Sequence, residues 1–140
     1  GVPNVASDTP PLKKNPVFLY FQDHFQRPNP FRPDVAIDIT SVFDQKIHAL
    51  DAHESQFYEW LPWIGGYLDE VPRDKAARKK WLAENRSGRV TPVVREALQK
   101  WYGSRASNIQ SAEAFEICEY GSRPSEEDLK RIFPMLAQKK

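Results

Sequence analysis

Three histidines are the residues of this chain best suited to bind a metal ion. His48 and His53 lie five residues apart on a predicted helix, and His24 lies on a predicted loop. Zinc needs three or four ligands from His, Cys, Asp or Glu at usable spacing. A five-residue step places two side chains on different faces of a helix, unlike the four-residue step of helical zinc motifs. The sequence therefore predicts no complete zinc site within this chain.

Motifs for nucleophilic catalysis and nucleotide binding are also missing from the sequence. It contains no G-x-S-x-G elbow, and Gly65-Gly66 is a lone pair without the spacing of a phosphate-binding loop. Cys118 is the single cysteine and has no catalytic pattern around it. We interpret it as a small buried apolar residue.

A loop at 22–34 carries the next group of chemically capable residues, Asp23, His24 and Arg27, and is punctuated by three prolines. It follows a predicted strand, and open α/β folds bind ligands at the carboxyl ends of their strands. The loop either borders a substrate pocket or is a solvated connection. His53 is likewise either a half-buried, hydrogen-bonded helix residue or a residue that orients an active-site loop or a subunit contact.

The densest aromatic cluster lies at 57–67, with the sequence FYEWLPWIGGY. Aromatic faces can stack on the apolar face of a sugar ring, but such density is more often typical of a core or an interface. Both interpretations remain open from the sequence, and the second is favoured.

Composition excludes several classes of function. The net charge is +1, from 20 basic and 19 acidic residues, which argues against nucleic acid or an anionic membrane as a partner. No apolar run approaches the roughly 20 residues that span a bilayer, and no signal peptide is predicted. A lone thiol suits a reducing compartment, so a cytoplasmic location is expected. A mean hydropathy of -0.65 and twelve prolines indicate exposed loops and surfaces that need a partner.

Two strands and a helix are predicted in the first half of the chain. The apolar run 17–21 predicts a buried strand, and the alternating pattern 35–39 predicts a second one. A helix is predicted from Ser41, as its capping residue, to a point before Pro62. Its apolar face would consist of Phe43, Ile47, Leu50 and Phe57, with His53 on or beside it.

Three further helices are predicted in the second half. One spans about 74–84, and one spans 91–102, with Thr91 as its cap, Pro92 in its first turn and Gly103 just past its end. A last short helix begins around 124–128 and stops before Pro134. The segment 114–120 fits either a strand or a short helix, because its periodicity does not decide between them.

These residues, in this order, resemble part of a known family. The segments VFLYF at 17–21 and RPDVAIDIT at 32–40 resemble the strand–loop–strand passage in the latter half of the PIG-L/LmbE deacetylases. The helix that follows resembles that family's pattern Lys-x-x-Ala-x-x-x-His-x-Ser-Gln, here Lys46, Ala49, His53, Ser55 and Gln56. The match covers 1–60 well, and the rest looks like an extension found in some members.

The resemblance implies the C-terminal portion of a Rossmann-like α/β fold over 1–60, followed by a mostly helical extension over 61–140. It also implies zinc-dependent hydrolysis of an N-acetyl group, typically on an N-acetylglucosamine-type substrate. The family binds zinc through a His-Pro-Asp-Asp motif and a later His-x-x-His motif. Neither occurs here, so the resemblance places both before Gly1, and no zinc ligand or catalytic residue is assigned in this chain.

The expectations that follow concern substrate binding and partners. Lys13, Lys14, Asp23, His24 and Arg27 are the candidate substrate-binding residues, beside the family-pattern residues of the helix. We expect a chain that is inactive alone and that pairs with a missing N-terminal half, with a partner chain or with itself. An alternative is a non-catalytic module that binds a glycan or a protein.

Overall fold

The computed structural model describes residues 10, 12–85 and 89–137, and this part of the chain is a mixed α/β structure, as predicted. None of its helices has the length and apolarity needed to cross a bilayer. The described elements are β1 (Val17–Phe21), β2 (Val35–Asp38), α1 (Phe43–Asp51), a π-helix (Ser55–Trp60), α2 (Leu61–Gly65), α3 (Lys75–Asn85), α4 (Pro92–Tyr102), β3 (Ala112–Gly121) and α5 (Glu126–Ile132).

The three described strands form one sheet in the order β1-β3-β2. β3 runs antiparallel to both neighbours, so β1 and β2 point in the same direction on either side of it. The segment that the sequence left undecided between strand and helix is therefore the central strand. Because β3 belongs to the range 61–140 and pairs with both strands of the range 1–60, a single sheet joins the two ranges.

The two faces of the sheet pack against different helices because β3 alternates small and bulky side chains. On one face, Ala36, Ala112 and Ala114 lie in a cluster with the buried face of α4. Alanine methyl groups allow the helix to approach the sheet closely, and α4 contributes Val94, Ala97 and Leu98 to this cluster. On the other face, a second cluster joins β2 to α5 and the turn after it, through Val35, Ile37, Ile39, Leu129 and Leu136.

The helices α3, α4 and α5 follow their predicted signals. The Thr91 hydroxyl accepts the N–H of Val94 at the start of α4, and Gly103 follows its end. Ser125 and Asp128 form a reciprocal capping box at the start of α5. Local chemistry sets these ends, which explains why the sequence predicts them.

The prediction of one helix from Ser41 to Pro62 is wrong in two respects. Ser41 makes no capping bond, since Asp38 Oδ1 accepts the N–H of Thr40 (2.9 Å) and a short 3-10 turn leads into α1. The helix then stops at Asp51, and helical structure resumes as the π-helix and continues through Pro62 into α2. A proline is tolerated there because it lies in the first turn of α2, where its missing N–H is not required.

β1 is not the buried strand that its apolar run predicts. It lies at the edge of the described sheet, and Phe18 and Phe21 are 51% and 71% exposed. A continuous apolar run indicates a strand covered on both faces. In the described part of the chain only β3 pairs with β1, so its outer edge and much of its apolar surface are uncovered. β2 is a strand, as predicted, and Val35, Ala36 and Ile37 in it are buried although it lies at the other edge of the described sheet.

Candidate functional site

A cleft near the predicted loop at 22–34, which we call the notch, lies at one edge of β3. β1 stops pairing with β3 at Phe21, opposite Phe115, whereas β2 pairs with β3 as far as Ala112. Arg89 then bridges Ser111. The first three residues of β3 therefore have no partner in β1, and their edge opens into a cleft of about 490 Å³. Its lining residues are Phe21, Gln22, His24, Lys46, Asn85, Arg89, Thr91, Ala112, Glu113 and Ala114.

Most residues that line the cleft are polar, and two of them form an ion pair between α1 and β3. Lys46 Nζ on α1 lies 3.0 Å from Glu113 Oε1 on β3, with both side chains partly exposed. Glu113 is opposite Ile37 in the sheet register, so β2 and β3 together fix its position. Arg89 adds a second full positive charge, and His24 adds an imidazole at the end of the loop. Leaving His24 aside, the two cations and one carboxylate give the lining a formal net charge of +1.

The mouth of the cleft also carries an aromatic surface. Phe21 contacts Phe115, with 5.1 Å between ring centroids, while most of its own ring faces solvent. Gln22, Asn85 and Thr91 supply neutral hydrogen-bonding groups around it. An exposed ring beside convergent charged and amide groups suits a small molecule that has both an apolar face and several polar substituents.

A network of side-chain contacts joins α1 and α3, the two helices that contribute Lys46 and Asn85 to the cleft. Tyr58 Oη donates to Asp51 Oδ1 at the end of α1 (2.6 Å), and the guanidinium of Arg78 on α3 lies 4.5 Å from the Tyr58 ring. Arg78 also forms an ion pair with Glu54 (2.7 Å). Burial, and then the hydrogen bond to Asp51, raise the pKa of Tyr58, so the phenol keeps its proton and remains a donor.

The cleft brings together two of the predicted site residues. His24, from the loop, and Lys46, from the family-pattern helix, both line it. Lys14 lies instead in a second cleft, described below, and Lys13 lines neither. Asp23 and Arg27 are exposed loop residues outside both clefts, and the Asp23 carboxylate accepts the N–H of Phe25 (3.0 Å).

The other residues of the family pattern lie outside this cleft. His53, Ser55 and Gln56 are exposed at the break between α1 and the π-helix, and none of them lines it. The prediction that His53 lies on or beside a continuous apolar helix face is therefore wrong. Because α1 ends at Asp51, no helical face continues from Lys46 to His53.

Sequence reasoning missed Glu113, Arg89 and Asn85 as residues of the cleft. Glu113 could have been found only by assigning β3 as a strand and aligning it with β2, since its place follows from the pairing with Ile37. Arg89 reaches the cleft through an isolated bridge to Ser111, for which no local sequence signal exists.

The sole cysteine is buried, as predicted, and hydrogen-bonded. The Cys118 thiol donates to Tyr20 Oη (3.0 Å), and that hydroxyl donates to Glu119 Oε2 (2.9 Å). The contact with Cys118, followed by the one with Glu119, raises the pKa of Tyr20. A buried thiol whose hydrogen is engaged in this way is suited to packing rather than to nucleophilic attack.

The donor set for a metal ion does not fit zinc within the described residues. In the ranges 12–85 and 89–137, no three side chains of His, Cys, Asp or Glu converge closely enough to hold a metal ion. The zinc that the family resemblance implies would therefore need ligands from outside this part of the chain.

Comparison of the chain with models of protein families, with curated proteins and with solved structures finds no match.

Proposed function

We propose that this chain is the C-terminal segment of a metal-dependent N-deacetylase, and that its notch forms part of the wall that binds an N-acetylated sugar. The observation that supports this is the meeting of His24 and Lys46 in one cleft. Lys46 belongs to the helix that resembles the family, and His24 belongs to the loop between the two segments that resemble its strand–loop–strand passage. The proposal includes a Rossmann-like parent sheet, in which further strands continue from the outer edge of β1.

The chemistry of the cleft suits a hexosamine derivative. The exposed ring of Phe21 offers a flat apolar surface for one face of a pyranose. The Glu113 carboxylate can accept hydrogen bonds from sugar hydroxyls, while the Lys46 ammonium can donate to a hydroxyl or to an acetamido oxygen. In this proposal the residues of the chain bind and orient the substrate. The metal, bound by residues outside this chain, supplies Lewis-acid activation of the amide.

A binding experiment tests the role of the notch. We expect N-acetylglucosamine to shift the backbone amide resonances of Phe21, Gln22 and Ala114 in a ¹⁵N-labelled chain. Glu113→Gln and Lys46→Met should each weaken this binding, whereas Lys80→Met, at an exposed position of α3 that does not line the cleft, should leave it unchanged. Shifts confined to other surfaces, or equal effects of the two lysine variants, would contradict the proposal.

An activity experiment tests whether this chain binds the substrate while residues outside it bind the metal. The 140-residue chain incubated with zinc and an N-acetylglucosaminide should release no acetate above the enzyme-free rate. Adding a polypeptide that carries the His-Pro-Asp-Asp and His-x-x-His motifs should restore turnover, and Lys46→Met should reduce it. Turnover by the chain alone would refute the argument from missing ligands.

We further propose that a partner strand covers β1. Its outer edge is unpaired within the described residues, and it exposes Phe18 and Tyr20 on one face of the sheet. Unpaired apolar edges drive association. Light scattering should therefore report a self-associated species or a complex with the N-terminal half; a monodisperse monomer across a wide concentration range would argue against it.

A glycan- or protein-binding module remains the alternative, and one observation favours it. In the cluster at 57–67, Tyr58 is buried, but Trp60, Trp63 and Ile64 are exposed on the π-helix and α2. Large apolar side chains exposed close together in one short segment indicate a contact site. Under this alternative, ligand binding should quench tryptophan fluorescence, and Trp63→Ala should abolish the quenching without affecting shifts at Phe21.

A further inference from the structure

A second cleft, of about 570 Å³, lies at the opposite end of the β1–β3 pair from the notch. It is formed where the chain enters β1 and where it leaves β3, with one side of α5 as its third wall. Its lining residues are Lys14, Asn15, Pro16, Val17, Ser122, Arg123, Asp128, Arg131 and Ile132. None of them lines the notch.

Backbone contacts fix the two chain segments that form this cleft. The N–H of Ser122 donates to the carbonyl oxygen of Pro16 (3.0 Å). Gly121 adopts a φ of +87°, and a Cβ atom there would lie 2.4 Å from the same oxygen. The chain before β1 can therefore rest directly on the end of β3 only because residue 121 is a glycine. This contact places Lys14 and Arg123 beside the same space.

The charges around the cleft are unbalanced. Asp128 is the one acid among the lining residues, and its carboxylate already accepts hydrogen bonds from the N–H and hydroxyl of Ser125 and from the Arg131 guanidinium. Within the described part of the chain, Lys14 and Arg123 form no ion pair. Three cations and one carboxylate leave the lining with a net charge of +2.

We propose that this cleft binds a phosphomonoester group carried by a small soluble molecule. The planar guanidinium of Arg123 can donate two parallel hydrogen bonds to a phosphate, and Lys14 adds a point charge from the other wall. The Ser122 hydroxyl and the Asn15 amide provide neutral partners. The cleft is larger than a bare phosphate, so it has room for the organic part of the ligand. A net charge of +1 for the whole chain argues against a polyanion as the ligand.

The experiment uses the full chain, ¹⁵N-labelled, with inorganic phosphate and glycerol 3-phosphate as probes at low salt. We expect both to shift the amide resonances of Asn15, Ser122 and Arg123, and the binding to weaken as salt is added. Arg123→Ala should lower the affinity roughly tenfold, since it removes a charge-assisted hydrogen-bond donor. Arg123→Lys should restore only part of it, because a lysine cannot donate in the bidentate geometry.

Lys13 provides the matched control. It is the same residue type one position away, but it does not line the cleft. Lys14→Ala should weaken binding several-fold, while Lys13→Ala, which removes the same charge, should have no effect. Equal losses from the two variants would mean non-specific attraction and would overturn the proposal, as would the absence of shifts at Ser122 and Arg123 with both probes.

Two further measurements test for a lipid ligand and for loss of folding in the variants. Vesicles containing phosphatidic acid test for a lipid source of the same group, and binding to vesicles without binding to glycerol 3-phosphate would overturn the assignment to a soluble ligand. Dispersed amide spectra of each variant show whether it is folded. The proposal is independent of the deacetylase proposal, because the notch and its N-acetylglucosamine titration involve none of these residues.

Discussion

Replacing Gly121 by alanine tests how the ends of β1 and β3 are joined. At its φ of +87°, a Cβ would lie 2.4 Å from the Pro16 oxygen and 2.7 Å from Phe18 Cδ2. The left-handed conformation costs a residue with a Cβ roughly 1–2 kcal/mol. Displacing the backbone oxygen also breaks its hydrogen bond with Ser122, which is worth about 1 kcal/mol. Reduced entropy of the unfolded chain offsets this by roughly 0.5 kcal/mol.

The expected loss for Gly121→Ala is therefore about 2 kcal/mol in the free energy of unfolding. The matched control is Gly66→Ala: Gly66 has a similar φ of +73°, but apart from its own chain neighbours no residue comes within 4 Å of the position that a Cβ would occupy there. This control should lose only about 1 kcal/mol, from the backbone conformation alone. Urea unfolding followed by tryptophan fluorescence measures both. Equal losses would refute the claim that close contact with Pro16 requires a glycine at 121, and Gly121→Ala should also weaken phosphate binding.

Three other predictions concern the core, a helix cap and a titrating group. Leu98→Ala, at a fully buried position under the sheet, should cost about 3 kcal/mol, whereas Leu12→Ala, at an exposed position, should cost less than about 0.5 kcal/mol in the same urea titration. Thr91→Ala should cost about 1 kcal/mol and lower the amide protection of the first turn of α4. Hydrogen bonds from Ser125, and then the contact with Arg131, lower the pKa of Asp128 from 3.8 to about 2, so the stabilisation that they provide is present above pH 3.8 and is lost as the pH falls towards 2. A ¹³C titration of the Asp128 carboxyl should show that Ser125→Ala raises this pKa towards its ordinary value.

The sequence predicts the elements whose ends are set by neighbouring residues. Thr91 and Gly103 mark both ends of α4 because capping acts within one turn of the helix. The strands at 17–21 and 35–38 follow from composition and from period-two alternation. Even here local patterns mislead: Ser41 has the right chemistry for a cap, but Asp38 forms the competing hydrogen bond that starts the turn before α1.

The sheet itself could not be read from local patterns. As a strand, β3 places Ala112 and Ala114 on one face and Phe115 and Ile117 on the other. Apolar residues in this segment are also separated by steps of three and four, which would fit one face of a helix. Only the pairing with β1 and β2, which lie far away in the sequence, selects the strand. Part of the candidate site likewise depends on pairing between segments that are distant in the sequence. Lys46 could be selected by resemblance and His24 by its loop after a predicted strand, whereas Glu113 needed the register of the sheet.

Both clefts follow from a mismatch in length between β1 and β3. β1 has five residues and β3 has ten, so β1 can pair with only part of its neighbour. Pairing begins opposite Gly121, where the contact with Pro16 fixes the position of β1, and it ends opposite Phe115. The edge from 112 to 114 must then remain open towards the notch. The glycine that builds one cleft therefore also determines where the other begins, because a shift of β1 along β3 would move both.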